Sequence, residues 1–285
     1  MALVTLKEIL RGSVQGRYAV GSFNAANHGM VEAILAASEE LGTPVILSIA
    51  EVHFRYLDLD KFVSYALHRI EEVSTPVALH LDHGLSMETI KRGLDLGFSS
   101  VMIDASQQPY EENVRITRSV VELAKPYGVS VEAELGFVGG GEGNLVEGSV
   151  ANPSDFTDPE LVADFVEKTG VDALAVAIGT VHGPYKGQPA LDLELLREIR
   201  GRTTIPLVLH GGSGLSDQDF RNVVANGINK VNFYTHFSLA AAAKVAELIK
   251  GGKPLGYPDL TTAAEQEIKS IVAHQIGVFG TPRVI

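Results

Sequence analysis

The segment VALHLDHG at 77–84 places His80, Asp82 and His83 at the end of a run that otherwise reads as a buried strand. Polar side chains in such a place cost free energy unless each finds a partner, which marks them as candidates for binding or catalysis. Similar residues close other apolar runs: Asn24, Asp104, Glu134, His182, His210 and Asn232. Among them His83, His182 and His210 carry the neutral imidazole nitrogens that a catalytic zinc takes, with one coordination position left for substrate. Glu134 and Asp104 suit a second or displaced metal position, or the orientation of a ligand imidazole from behind. On an extended chain Asp82 and His83 point to opposite faces, whereas His80 and Asp82, two apart, share one. His80 therefore reads as support for Asp82 or as core packing.

Two glycine-rich stretches add a second theme. HGGSGLSD at 210–217 runs from an apolar segment through Gly211, Gly212, Ser213 and Gly214 into a helix start. Its backbone N–H groups and hydroxyl can face an anion such as phosphate, although the same glycines would also serve a tight turn. GFVGGGEGNLVEGSVANPSDF at 136–156 is the longest stretch without periodicity, and an irregular loop of that length in a compact domain is usually a lid or functional loop. Its Glu142, flanked by glycines, can reach over a metal or remain a solvated acid.

Eight short apolar, β-branched runs carry these residues: 18–24, 43–50, 75–82, 99–104, 129–135, 172–178, 205–211 and 228–233. Between them lie segments with apolar residues at helical spacing, several opening on Ser or Asp and closing on Gly, as helix caps do. Eight strand–helix units without a linker or a shift of composition predict one (β/α)8 TIM barrel over residues 1–285, with extra helices at the C-terminus. A doubly wound sheet would want a glycine-rich turn after its first strand, and SFNAANHG is not one. In a barrel the chemistry gathers at the C-terminal strand ends, where the polar residues above are found.

The composition narrows the partners. The 285 residues are 45% hydrophobic, contain no cysteine and carry a formal charge of −12. That charge argues against nucleic acid or an anionic membrane as the main partner, since both want a basic face. Any anionic substrate must then be caught locally. The missing cysteines exclude disulfides and thiolate metal sites and are compatible with a reducing cytoplasm. MALVTLKEILRG is too short in its apolar run for a signal peptide, and no stretch approaches the ~18–20 apolar residues of a membrane span. A cytoplasmic location is expected.

HLDHG, SVMIDAS, VEAELG, GGGEG, LAVAIGTVHGPYKG, LVLHGGSGLSD and INKVN, in this order over roughly 18–235, resemble the zinc-dependent class II aldolases, near the fructose-bisphosphate and tagatose-bisphosphate enzymes. The resemblance implies a TIM barrel, usually dimeric or tetrameric, that reversibly cleaves a ketose between C3 and C4 with zinc or another divalent ion and, in some members, a monovalent cation. By matching motifs it puts the zinc on His83, His182 and His210, and the alternative metal position on Asp104 and Glu134. It assigns Asp82 to proton exchange with the aldehyde oxygen, and Glu142 to proton removal from the carbon beside the ketone of dihydroxyacetone phosphate. Gly183, Gly211, Ser213, Asn232 and Thr235 match positions around the ketose-end phosphate, and Asn24 matches a substrate-contacting asparagine. The chain departs from the family pattern at Tyr234 and His236 in NFYTHF. It departs again after the second run, where SIAEVHFRY has Ala50 in place of a serine and brings in His53, Arg55 and Tyr56. A metal-dependent hydrolase would bring an H-x-H pair on the first run, and YAVGSFNAAN has none. A non-catalytic relative would lack a ligand or Glu142, and none is missing.

Overall fold

The computed structural model describes residues 2–140, 148–252 and 254–285. Eight parallel strands close in sequence order: β1 (Val20–Asn24), β2 (Val45–Ala50), β3 (Val77–Gly84), β4 (Ser100–Ile103), β5 (Ser130–Leu135), β6 (Ala173–Val176), β7 (Leu207–Leu209) and β8 (Ile228–Phe233). β8 returns to pair with β1, so no sheet edge is left open. The expected (β/α)8 barrel is present, with every strand inside or overlapping its predicted run. β3 alone extends past its run, through His83 to Gly84.

The helices start and stop where local chemistry tells them to. Ser86 caps Met87–Leu96, accepting a hydrogen bond from the Thr89 amide, and Asp158 does the same for Pro159–Thr169 through the Glu160 amide. The second of these ends at Gly170 with φ of 73°, a left-handed conformation that glycine adopts without strain. After β8 the helix Thr235–Lys250 completes the barrel, and the extra helix Tyr257–Val278 packs across it and the first barrel helix, His28–Leu41. No helix among the described residues is long and apolar enough to cross a membrane.

Strand alternation sorts the residues into two sets. One set faces the helices: Phe23, Leu47, Leu79, Leu81, Val101, Val131, Leu174 and Val231 are all buried in that layer. The other faces the barrel axis. At the bottom of the axis Val20, Ile46, Ala78, Ala173 and Val208 form an apolar floor, closed from below by Leu6, Ile9 and Leu10 of the N-terminal turn. Above that floor the inward residues become polar, with Ser22, Ser48, His80, Ser100, Glu132 and Lys230 all fully buried. This polar middle layer supports the strand ends.

Candidate active site

The three histidines come from three different strand ends and converge: one nitrogen of each of His83, His182 and His210 lies within 4.8 Å of the others. Their remaining nitrogens are all occupied. His83 Nδ1 meets Asp104 Oδ2 at 2.8 Å, His182 Nδ1 donates to the Val138 carbonyl at 3.2 Å, and His210 Nε2 donates to Glu132 Oε1 at 2.9 Å. Each back-side acceptor favours a proton on the far nitrogen, which leaves the front-side nitrogen to be the ligand when a cation is bound. At the front, His83 Nε2 and His210 Nδ1 stand 2.6 Å apart, and His182 Nε2 is buried without a hydrogen-bond partner among the described residues. Burial also holds the His182 ring neutral, lowering it to about 3. This donor set fits a divalent cation with imidazole preference.

Asp104 is spoken for on both oxygens. Besides His83, its Oδ1 accepts from the Ser106 amide at 3.1 Å and hydroxyl at 2.6 Å. Burial opposes its ionisation, but the His83 contact and the Ser106 donors win and hold the carboxyl well below the usual range. Of its two expected uses, orienting His83 is the one its contacts favour. Glu134 differs. Its Oε1 accepts from the Val138 amide at 3.0 Å, while Oε2 has no hydrogen-bond partner among the described residues and lies 3.9 Å from His210 Nδ1. Burial and the nearby Asp104 charge push Glu134 up to about 8. A cation at the centre would find in it a further oxygen donor.

Asp82 and His83 both reach the site although they are adjacent in sequence. The β3–β4 register shifts between Leu81 and Gly84, and His83 takes a φ of 46°, so the extended-chain expectation that they diverge does not hold here. Asp82 is buried, with Oδ2 accepting from Asn24 Nδ2 at 2.9 Å and Oδ1 from Asn232 Nδ2 at 3.0 Å. Burial works against its charge, yet His83, Lys230, His210 and His80 together hold it well below the usual carboxylate range. His80 supports from beneath: its Nδ1 pairs with Ser100 Oγ at 2.7 Å and its Nε2 lies 3.8 Å from Asp82 Oδ1.

Beside this centre, Asn24, Gly183, Gly211, Gly212, Ser213, Asn232 and Thr235 line one cleft together with His182. All seven residues expected to contact substrate are thereby brought together. Gly211 has a φ of 70°, and a Cβ there would stand 2.4 Å from the Val181 carbonyl oxygen, so no other residue lets the two loops close up. Tyr234 and Phe233 complete the lining. Glu142 lies outside the described residues. The flanks of its loop are placed: the His182 amide donates to Gly139 O at 2.8 Å, and the Lys186 amide to Ser149 O at 2.9 Å.

Sequence reading missed three residues. Lys230 Nζ sits 3.0 Å from Glu132 Oε2 and 2.7 Å from Asn232 Oδ1, all buried, linking the His210 support to the Asp82 support. Lys230 offsets the burial that would raise Glu132 and brings that carboxyl down to about 2. Tyr185 ties the loops after β6 and β7, its hydroxyl donating to Gly211 O at 2.8 Å and accepting from the Val181 amide at 3.1 Å. The period-2 rule could have found two of them: Glu132 precedes Glu134 by two, and Lys230 precedes Asn232 by two.

The family profile described as Fructose-bisphosphate aldolase class-II matches residues 4–282. The fructose-bisphosphate aldolase of Staphylococcus epidermidis is 44% identical over 286 residues, covering 99% of this chain and 98% of its own. That of Geobacillus stearothermophilus is 47% identical over 252 residues, 87% of this chain and 86% of its own. Among solved structures, the YdjI aldolase of Escherichia coli K12 superposes with a TM-score of 0.87 at 34% identity, over 98% of both chains.

Proposed function

The chain belongs to the class-II fructose-bisphosphate aldolase family and is a carbon–carbon lyase of that metal-dependent class, and from this premise we propose that it cleaves a ketose phosphate reversibly to dihydroxyacetone phosphate and an aldehyde, using zinc. The observation that carries the reading is the histidine triad. Three imidazoles, each turned by its own acceptor, aim nitrogens at one point beside a cleft built from Gly183, Gly211, Gly212 and Ser213. We assign the ion to His83, His182 and His210, with Glu134 as a further donor and Asp104 as the orienting partner of His83. When bound, the ion polarises the ketone and stabilises the negative charge that develops on its oxygen.

The protein groups do the rest. Ionised Asp82, fixed by Asn24 and Asn232, takes the proton of the C4 hydroxyl as the C3–C4 bond breaks and returns it to the aldehyde oxygen in the reverse direction. Glu142 delivers a proton to C3 of the three-carbon fragment and removes it during condensation. The amides of the Gly211–Ser213 turn and the hydroxyls of Ser213 and Thr235 hold the ketose-end phosphate. Exposed Leu239, Ile249, Leu255 and Tyr257 support assembly into a homodimer or homotetramer, with residues 1–285 acting as one barrel unit in the cytoplasm.

Tyr234 at the edge of the cleft favours a second reading, a ketose without phosphate at that end. One experiment separates the two: cleavage of fructose 1,6-bisphosphate, tagatose 1,6-bisphosphate and the free ketoses, each after chelation and after zinc is restored. Chelator-sensitive release of dihydroxyacetone phosphate is the expected result. Cleavage of free ketoses alone would shift the assignment to the second reading, and silence across the zinc-loaded panel would overturn both.

A further inference from the structure

His53 has no role in that scheme, yet it packs directly behind the cleft, against Tyr234 of its lining. It sits in the turn Glu51–Tyr56 directly after β2 and is 1% exposed. Neither ring nitrogen has a hydrogen-bond partner among the described residues. Such a group is costly to bury unless a ligand supplies what the fold withholds. The turn is held in place, since Glu51 accepts from the Leu85 amide at 2.8 Å and the Thr89 hydroxyl at 3.0 Å. The ring packs 4.4 Å from that of Tyr234, which lines the cleft and whose amide donates to Ser213 Oγ at 3.1 Å.

Position and chemistry indicate what His53 would bind. β2 is the neighbour of β3, whose end carries Asp82, the group that serves the aldehyde oxygen, whereas the cleft glycines come from the loops after β6 and β7 on the other side of the barrel. Burial keeps the ring neutral down to about pH 4, opposed only by the nearby Asp82 charge. A neutral imidazole has one donor and one acceptor, which matches a hydroxyl; a phosphate dianion offers acceptors only and calls for cations.

Resting on the aldolase reading, we propose that His53 is a specificity-determining residue whose ring nitrogen hydrogen-bonds a hydroxyl on the aldehyde half of the ketose, with the Tyr234 ring holding it in register. The enzyme then selects hydroxylated aldehydes over deoxygenated ones by the acceptor and donor that the latter leave unpaired.

The test uses the zinc-loaded full chain and two variants, His53→Phe and His53→Gln. Condensation of dihydroxyacetone phosphate with glyceraldehyde is compared with condensation with propanal. Exchange of the dihydroxyacetone phosphate proton into deuterated water, which needs no aldehyde, is followed separately. In His53→Phe, kcat/KM for glyceraldehyde should fall about ten-fold, while propanal and proton exchange stay within about two-fold of the parent. His53→Gln, which keeps a donor and an acceptor, should recover part of the loss. Equal losses on both aldehydes, discrimination left intact in His53→Phe, or loss of proton exchange in both variants would each overturn the assignment of His53. Absence of exchange in the parent enzyme would overturn the aldolase reading and this assignment with it.

Discussion

His83 Nε2 and His210 Nδ1 face each other at 2.6 Å, although 127 residues separate them, and the far nitrogen of each ring is tied to a carboxylate. Two imidazoles locked in this way aim their front nitrogens at the same point, where a cation would take the place of the proton they share. His210→Ala should bring zinc well below about one ion per chain by elemental analysis. Asp104→Asn should keep the ion but weaken its affinity about 10–100-fold in a chelator competition. Full occupancy in His210→Ala would remove it from the ligand set.

In the proposed scheme Asp82 is the base of the cleavage direction, and its hydrogen bonds among the described residues run to Asn24 and Asn232 rather than to the triad's ring nitrogens. Asp82→Ala should therefore retain zinc while turnover falls about 100-fold or more, the usual contribution of a positioned acid–base group. Undiminished turnover with bound zinc would refute the role.

Lys230 and Glu132 form a fully buried ion pair in the middle layer of the barrel. Lys230→Met leaves the Glu132 charge without its cation, and removal of one partner from such a pair costs about 3–5 kcal/mol. A large drop in denaturant midpoint is expected, partly recovered in Lys230→Met/Glu132→Gln. A midpoint unchanged in the single variant would mean that Glu132 takes up a proton at little cost.

Gly211 permits the close approach of the loops after β6 and β7. Gly211→Ala combines a φ of 70° with a Cβ placed 2.4 Å from Val181 O, so the turn must shift. Strain of about 1–3 kcal/mol at this position should appear as a raised KM for phosphorylated ketose with zinc content unchanged. An unaltered KM would detach the turn from phosphate binding.

Burial lowers the rings of His53 and His80 to about 4 and about 3, from an ordinary value of 6.5. In the unfolded chain both protonate near 6.5, while the folded chain keeps them neutral, so falling pH favours unfolding across that interval. Stability should be full above pH 6.5 and decline toward pH 4, by up to about 1.4 kcal/mol per pH unit for each ring. Urea midpoints across this range would check the slope, and His53→Phe should reduce it. A flat profile would show that the rings protonate freely in the folded state.

The barrel was legible because its signals are local. The strand run at 43–50, which holds β2, and helix starts on Ser or Asp, as at Ser86 and Asp158, depend on neighbours in the chain. Of the cleft residues, Gly211, Gly212 and Ser213 were legible for the same reason, since a glycine-rich turn after an apolar run reads as an anion loop at the top of a strand, whereas Gly183 and Thr235 came only from the family resemblance. For Lys230 and Glu132 the period-2 rule gives the face, shared with Asn232 and Glu134, but not their pairing, because partners across the axis are distant in sequence.

What the sequence by itself determined, then, was the alternation that builds the barrel and the residue types gathered at its strand ends. The tertiary structure alone decided which way those residues point. Adjacent Asp82 and His83 share the site because β3 shifts register against β4 and His83 leaves the extended conformation. The triad's nitrogens face one centre because Asp104, Glu132 and Val138, from other parts of the chain, accept on the far side. Periodicity reports the face a side chain takes on a regular strand; a bulge, a ring orientation or a buried charge is set by partners distant in sequence, and those exist only once the barrel has closed.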